Sequence, residues 1–175
     1  MKITGYRIKE RLNALLIDHK IASDSFNGSL VYFEDDGQGA SSPDSVADRF
    51  AEAERRIAAL QAVQARYNLS VTVEVQGHKM TLCEAVKRVG GAGRIEKMWR
   101  DATSTLRGVD WRGTPTLKRS RDDVVAKRAL SPEDCGKRAV RAARYAAALR
   151  AAVAQGNTVE IDLDCDPSLF EDAGS

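Results

Sequence analysis

The chain has 175 residues, of which 43% are hydrophobic and 6% aromatic, enough apolar content for one domain with a buried core and too much for wholesale disorder. No apolar run approaches the roughly 20 residues of a membrane span, and the opening MKITGYRIKERLNALL carries charges where a signal peptide has an unbroken apolar core, so the protein reads as cytosolic. The net charge of +2 conceals a division: Lys87 to Arg150 hold 17 Lys/Arg against 7 Asp/Glu, a net of +10, while the remainder holds 10 against 18, a net of −8. A split of this size points to an anion-binding half, two halves that meet electrostatically, or a solvated basic face with an acidic tail.

In chain order, residues 6–22 have a helical pattern, with Ile8, Leu12, Leu15, Leu16 and His19 on one side. Asn27-Gly28 reads as a turn, Leu30 to Phe33 as a short strand, and the Gly/Ser/Asp cluster after them as a loop. Ser42-Pro43 starts a long helix, with proline in its first turn. Its Val46, Phe50, Ala53, Ile57, Leu60, Gln64 and Tyr67 alternate in spacings of four and three, an a/d seam with one polar position. A seam of this length (roughly 33 Å at 1.5 Å per residue) needs a partner helix. The first helix is too short to cover it, so self-association is the default and cover by a late helix the alternative.

Leu69, Val71, Val73 and Val75 alternate with polar residues as in a strand, and Gln76-Gly77 turns the chain into a short return strand. Thr81-Leu-Cys-Glu84 is a capping box that starts a helix running to about Val89. Gly90-Gly91-Ala92-Gly93 then breaks or kinks it, and RIEKMWRDATSTL resumes, with Glu96 and Arg100 as an i,i+4 pair. RGVDWRGTP is loop, and Leu117 to Ala126 reads as extended chain. Ser131-Pro132-Glu-Asp opens an alanine-rich helix that runs to Gln155 and stops at Gly156. TVEIDLD is a last strand and CDPSLFEDAGS a loose acidic tail. The predicted architecture is mainly α (α+β): long antiparallel helices with coiled-coil-like packing, a β-hairpin near 69–80 and terminal strands. It forms one helical domain over 1–165, with a flexible tail over 166–175.

Enzyme signatures are missing. Cys83, Cys135 and Cys165 form no CxxC pair, the two histidines, His19 and His78, have no metal-ligand spacing, and GxSxG, Walker and GxGxxG motifs do not occur. No metal or cofactor is expected. Glu84, Glu96 and Asp101 are carboxylates of the type an enzyme uses, but on helical faces they read as solubility and i,i+4 partners.

The stretch EAVKRVGGAGRIEKMWRDA, Glu84 to Ala102, combines glycines, cations and an aromatic ring. If a helix begins at Gly93 or Arg94, its free N–H groups point at an anion and the cations on its first turn have a reason to be there. The competing reading is a corner that lets two helices pack closely. Trp99 or Trp111 offers a face for a purine. Lys137, Arg141 and Arg144 share one face of the late helix, with Lys118, Arg119, Arg121, Lys127 and Arg128 upstream. Arginine grips phosphate oxygens in pairs, and a compact phosphorylated ligand fits a locally basic region better than a nucleic acid does.

The order of elements, with ARYNLSVTVEVQGHKMTLCEAV, LKRSRDDVVAKRA and RAARYAAALRAAVAQGNTVEIDL, resembles the septicolysin-like group of small bacterial helical proteins, which assemble as ring-like hexamers. It is also similar in layout to the phage anti-defence sponges that counter Thoeris. The likeness covers residues 45–163. It implies a homo-oligomer, a hexamer among the options, that binds cyclic ADP-ribose-type signals or cyclic oligonucleotides between subunits without cleaving them. It implies a pocket drawing on Asn68 as cap of the long helix, Arg88, Gly91, Gly93, Arg94, Lys97, Trp99 and Arg100 around the glycines, Trp111, and Arg119 and Arg121 on the extended stretch. An oligomeric structural or nucleic-acid-binding helical protein is the alternative. The insertion GSLVYFEDDGQGASSPDS, the GGAG stretch and the acidic tail depart from the family layout.

Overall fold

The computed structural model describes residues 1–31, 42–103 and 129–171. Within them the protein is mainly helical, with two small antiparallel sheets of two strands each. The chain forms two compact units: one from residues 1–72, 81–83 and 155–175, the other from 73–80 and 84–154.

The first unit is built on a helical hairpin, α1 (Gly5–Ser29) and α2 (Pro43–Ser70). Thr4 caps α1 by accepting from the Arg7 N–H, and Ser42 caps α2 by accepting from the Ser45 N–H at 3.2 Å, ahead of a proline at the first position. On α1, Gly5, Ile8, Leu12, Leu15 and Ala22 are buried, while Leu16 is exposed. Val46, Ala53, Ile57, Leu60 and Tyr67 of the seam are buried on α2, with Phe50 and Gln64 partly exposed, and Val63 joins the buried set.

The seam's partner is α1. The two helices pack antiparallel: His19 lies against Phe50 with ring centroids 4.3 Å apart and meets Glu54 at 2.7 Å, and the Gly5 end of α1 lies against Tyr67. This removes the reason for inferring self-association from the seam. The sequence reading shortened α1 because it took Asn27-Gly28 for a turn. Both residues lie inside the last helical turn, and Leu30 donates to Asn27 O. With α1 at 25 residues, the seam is covered within the chain. Leu30 and Val31 are not in a strand; the rest of the expected strand, and most of the Gly/Ser/Asp loop, lies outside the described residues.

Strand β1 (Lys2–Ile3) pairs antiparallel with β4 (Ile161–Asp162), Lys2 opposite Asp162 and Ile3 opposite Ile161. Tyr67, fully buried, aims its hydroxyl at Gly156 O (2.8 Å) and Val159 O (2.7 Å). Gly5 is required here: a Cβ would meet the Asn157 side chain, the Tyr67 ring at 2.8 Å and Asn157 Cα at 3.1 Å. Residues 166–171, expected as tail, are held. A 3-10 helix, Pro167–Phe170, is capped by Asp166. Arg11 donates to Leu169 O (2.9 Å) and Glu171 O, and Arg56 to Ser168 O (2.9 Å) and Glu171 O (2.8 Å). Guanidinium groups satisfy carbonyls that a single 3-10 turn leaves free.

Strands β2 (Thr72–Val75) and β3 (His78–Thr81) form the expected hairpin. Gln76 and Gly77 both have positive φ, 51° and 83°, the mark of a type I′ turn. The strand pattern at 69–75 begins late, because Leu69 and Ser70 belong to α2. Asn68 therefore sits within the last turn of α2 rather than capping it; the cap position is Val71.

Helix α3 (Leu82–Ala102) starts where the capping box predicts and then runs unbroken through Gly90-Gly91-Ala92-Gly93. A glycine inside a helix costs about 1 kcal/mol relative to alanine, which weakens a helix without ending it when good formers flank it on both sides. Here Glu84–Arg88 (2.6 Å) lies before the glycines and Glu96–Arg100 and Lys97–Asp101 (2.9 Å) after them, all at i,i+4. Helix α4 (Pro132–Gly156) begins at Ser131, whose Oγ accepts from the Asp134 N–H at 3.0 Å, and buries Cys135, Ala146, Leu149 and Ala152. The extended stretch expected at 117–126 lies outside the described residues.

Candidate functional site

The continuity of α3 removes the helix start that the glycine stretch was expected to create. No helix N-terminus lies at Gly93 or Arg94, so no free N–H groups converge there. The close-packing alternative is not met either: among the described residues a Cβ at Gly91 or Gly93 meets nothing within 4 Å, and at Gly90 only Arg94 Nη1 at 3.5 Å.

The expected cations of α3 are largely engaged. Arg88 pairs with Glu84, Lys97 with Asp101, and Arg100 with Glu96. Glu96 is mostly buried, at 14% side-chain exposure, and also faces Arg150 at 3.6 Å. Arg88 is held above the ordinary guanidinium range by its hydrogen bond to Tyr145 and then by the Glu84 carboxylate. Of the expected α3 cations only Arg94 makes no ion pair among the described residues.

What the second unit does present is an open groove of about 830 Å³ lined from three elements, within the size range of small-molecule sites. Helix α3 contributes Ile95 and Trp99, and the β2–β3 turn contributes Gln76. Helix α4 contributes Asp134, Lys137, Arg138, Arg141, Ala142 and Tyr145, with Leu130 just ahead of it. The guanidinium of Arg138 lies 4.9 Å from the Trp99 ring centroid, a cation–π contact. Lys137 has a surface pair with Glu133 at 2.8 Å, in which both side chains are more than two-thirds exposed, so it is easily exchanged for another anion. Arg141 has no carboxylate partner among the described residues. Among the described residues Asp134 is the one carboxylate of the lining, and its Oδ2 accepts the Ser131 hydroxyl at 2.7 Å.

Three cations beside an aromatic ring can take a phosphorylated or otherwise anionic planar molecule, with phosphate oxygens on Lys137 and Arg141 and a ring system beside the Trp99–Arg138 stack. Of the described residues singled out in the sequence, Trp99 of α3 and Lys137 and Arg141 of α4 line this groove. Arg88 reaches it indirectly through Tyr145, while Gly91, Gly93, Arg94, Lys97 and Arg100 lie along α3 outside the lining, and Asn68 belongs to the first unit. Trp111, Arg119 and Arg121 lie outside the described residues. Arg138, Tyr145 and Gln76 were missed. The first two had a legible signal: Asp134, Arg138, Arg141 and Tyr145 recur at spacings of four, three and four, one stripe of a helix.

Among the described residues, no group of three His, Cys, Asp or Glu side chains is arranged to hold a metal ion, and no helix is long and apolar enough to cross a membrane. No family model matches the chain, and no curated protein or solved structure matches it either.

Proposed function

We propose that this protein binds a compact nucleotide in the groove of its second unit and sequesters it without chemical change. The proposed ligand class is a cyclic nucleotide signal, of the cyclic ADP-ribose or cyclic oligonucleotide type, and the proposed consequence is inhibition of a host anti-phage defence. One observation carries the reading: Lys137, Arg138 and Arg141 converge on a groove that also contains the Trp99 ring. The pairing of guanidinium and ammonium donors with a stacking surface matches a phosphate joined to a base. The resemblance in element order to septicolysin-like proteins and anti-defence sponges supports the signal class, and supports a homo-oligomer in the host cytosol. The α2 seam no longer does, because α1 occupies it.

Calorimetry with cyclic ADP-ribose isomers and cyclic di- and trinucleotides tests the proposal. Binding that falls at least tenfold in each of Lys137→Glu and Arg141→Glu is expected, since a hydrogen bond to a charged group contributes about 1.5–3 kcal/mol. No heat with any of these ligands at tens of micromolar protein ends it. Recovery of the intact ligand after heat denaturation separates a sponge from an enzyme.

A second reading, binding to nucleic acid, is favoured by Arg144, exposed on α4 three residues beyond Arg141. It predicts affinity for random duplexes that falls steeply with salt.

A further inference from the structure

Gln76 is the only non-glycine residue with positive φ among the described residues, at 51°. It occupies the first central position of a type I′ turn, where glycine, asparagine and aspartate are the residues that adopt this backbone at low cost. Glutamine has no short side chain to bond its own backbone there, so the position is filled against local preference. Strain of this kind persists when the surroundings impose it and is often found at ligand contacts.

Two further observations concern the side chain. Gln76 lines the same groove as Trp99, Lys137, Arg138 and Arg141. It is exposed, and its amide makes no hydrogen bond among the described residues. The groove thus contains cations for phosphate, a ring for stacking, and one uncommitted primary amide.

We infer that Gln76 is a specificity-determining residue that reads the base edge of the bound nucleotide and selects adenine over guanine. The inference rests on the nucleotide reading of the groove. A primary amide presents a donor and an acceptor side by side. Adenine presents the complementary pair at N6–H and N7, whereas the corresponding guanine edge, O6 and N7, has two acceptors. Guanine would leave the amide oxygen facing an acceptor. A good bidentate pair discriminates by about tenfold or more.

The test uses the full chain with cyclic di-AMP and cyclic di-GMP, which share their phosphates and differ in their bases, and with inorganic triphosphate as a base-free probe. Wild type is expected to bind cyclic di-AMP about tenfold more tightly than cyclic di-GMP. Gln76→Asn suits the turn better, so its melting temperature is expected to hold or rise, while its amide falls one methylene short and the preference collapses to within about twofold. Gln76→Met keeps the length but has neither the amide donor nor the amide acceptor, and is expected to lose the preference as well. If wild type binds both nucleotides equally, or Gln76→Asn keeps the preference, the base-reading role is overturned while the nucleotide site stands. Triphosphate binding as tight as cyclic di-AMP reduces the groove to an anion site and also overturns it. If wild type binds neither nucleotide, here or in the wider ligand series, the groove is not a nucleotide site and both proposals fall.

Discussion

Replacing all three glycines of α3 by alanine, Gly90→Ala, Gly91→Ala and Gly93→Ala together, is expected to stabilise the protein. They occupy the interior of a 21-residue helix with negative φ, and added methyl groups at Gly91 and Gly93 meet nothing within 4 Å among the described residues. At Gly90 the methyl meets only a flexible guanidinium at 3.5 Å, an ordinary contact. Glycine in a helix interior costs about 0.8–1.0 kcal/mol relative to alanine, mostly through the larger conformational freedom of the unfolded chain. Three substitutions therefore add about 2.5 kcal/mol, and at about 2–4 °C per kcal/mol for a chain of this size the melting temperature rises by roughly 5–10 °C. Gly5→Ala is the internal control with the opposite sign. Its methyl group would press on the buried Tyr67 ring at 2.8 Å and on Asn157, and overpacking of this kind costs about 1–3 kcal/mol. Urea denaturation and thermal melting followed by far-UV circular dichroism measure both. A triple variant that is less stable than wild type, or that loses helix signal, refutes a continuous α3 and restores a functional break at residues 90–93.

Tyr67→Phe removes a hydroxyl held between Gly156 O and Val159 O and is expected to cost about 1–2 kcal/mol in urea denaturation at pH 7. Burial raises the Tyr67 pKa above its usual 10.0, so wild type has this contribution in full below pH 10 and loses it as pH rises beyond. The margin over Tyr67→Phe should narrow above pH 10, and a constant margin contradicts the assignment. Asp166 is lowered below 3.8 by its bonds to the Ser168 N–H and side chain, so its contribution exists above that pH and fades as pH falls through the lowered value. Limited proteolysis should cut wild type within residues 167–171 faster at pH 3 than at pH 5, and Asp166→Asn should flatten the difference. Arg56→Ala should expose the same segment at neutral pH, because it frees the carbonyls of Ser168 and Glu171; equal cleavage rates would show that Arg11 alone holds it.

Local chemistry made α2, α4 and the hairpin legible. Ser42-Pro43, Ser131-Pro132 and Gln76-Gly77 act within four residues and depend on no distant partner. Strand β1 had no such signal, because two residues, Lys2 and Ile3, become a strand only by pairing with Asp162 and Ile161. Asn27-Gly28 and the α3 glycines were misread for one reason: each breaker costs only about 1 kcal/mol inside a helix, a local preference that tertiary context overrides. The misreading of α1 then propagated to assembly, since a shorter helix leaves the seam uncovered. At the site, Trp99, Lys137 and Arg141 were identifiable by type and spacing, whereas the expected α3 cations Arg88, Lys97 and Arg100 are engaged by Glu84, Asp101 and Glu96. The α4 stripe was present in the spacing, and Gln76 joins it only through the path of the folded hairpin.

The interleaving of the first unit has a consequence for biosynthesis. The acceptors of Tyr67 lie 89 and 92 residues downstream, and Ile3 pairs with Ile161. While the ribosome adds roughly a hundred residues after α2, on the order of ten seconds at common elongation rates, the nascent helical hairpin has neither closing strand nor buried phenol partner. Contacts this distant in sequence close slowly. Until they do, Ile3, Ile8 and Tyr67 are offered to chaperones, and a stalled or truncated message should release an aggregation-prone product even though α1 and α2 are complete.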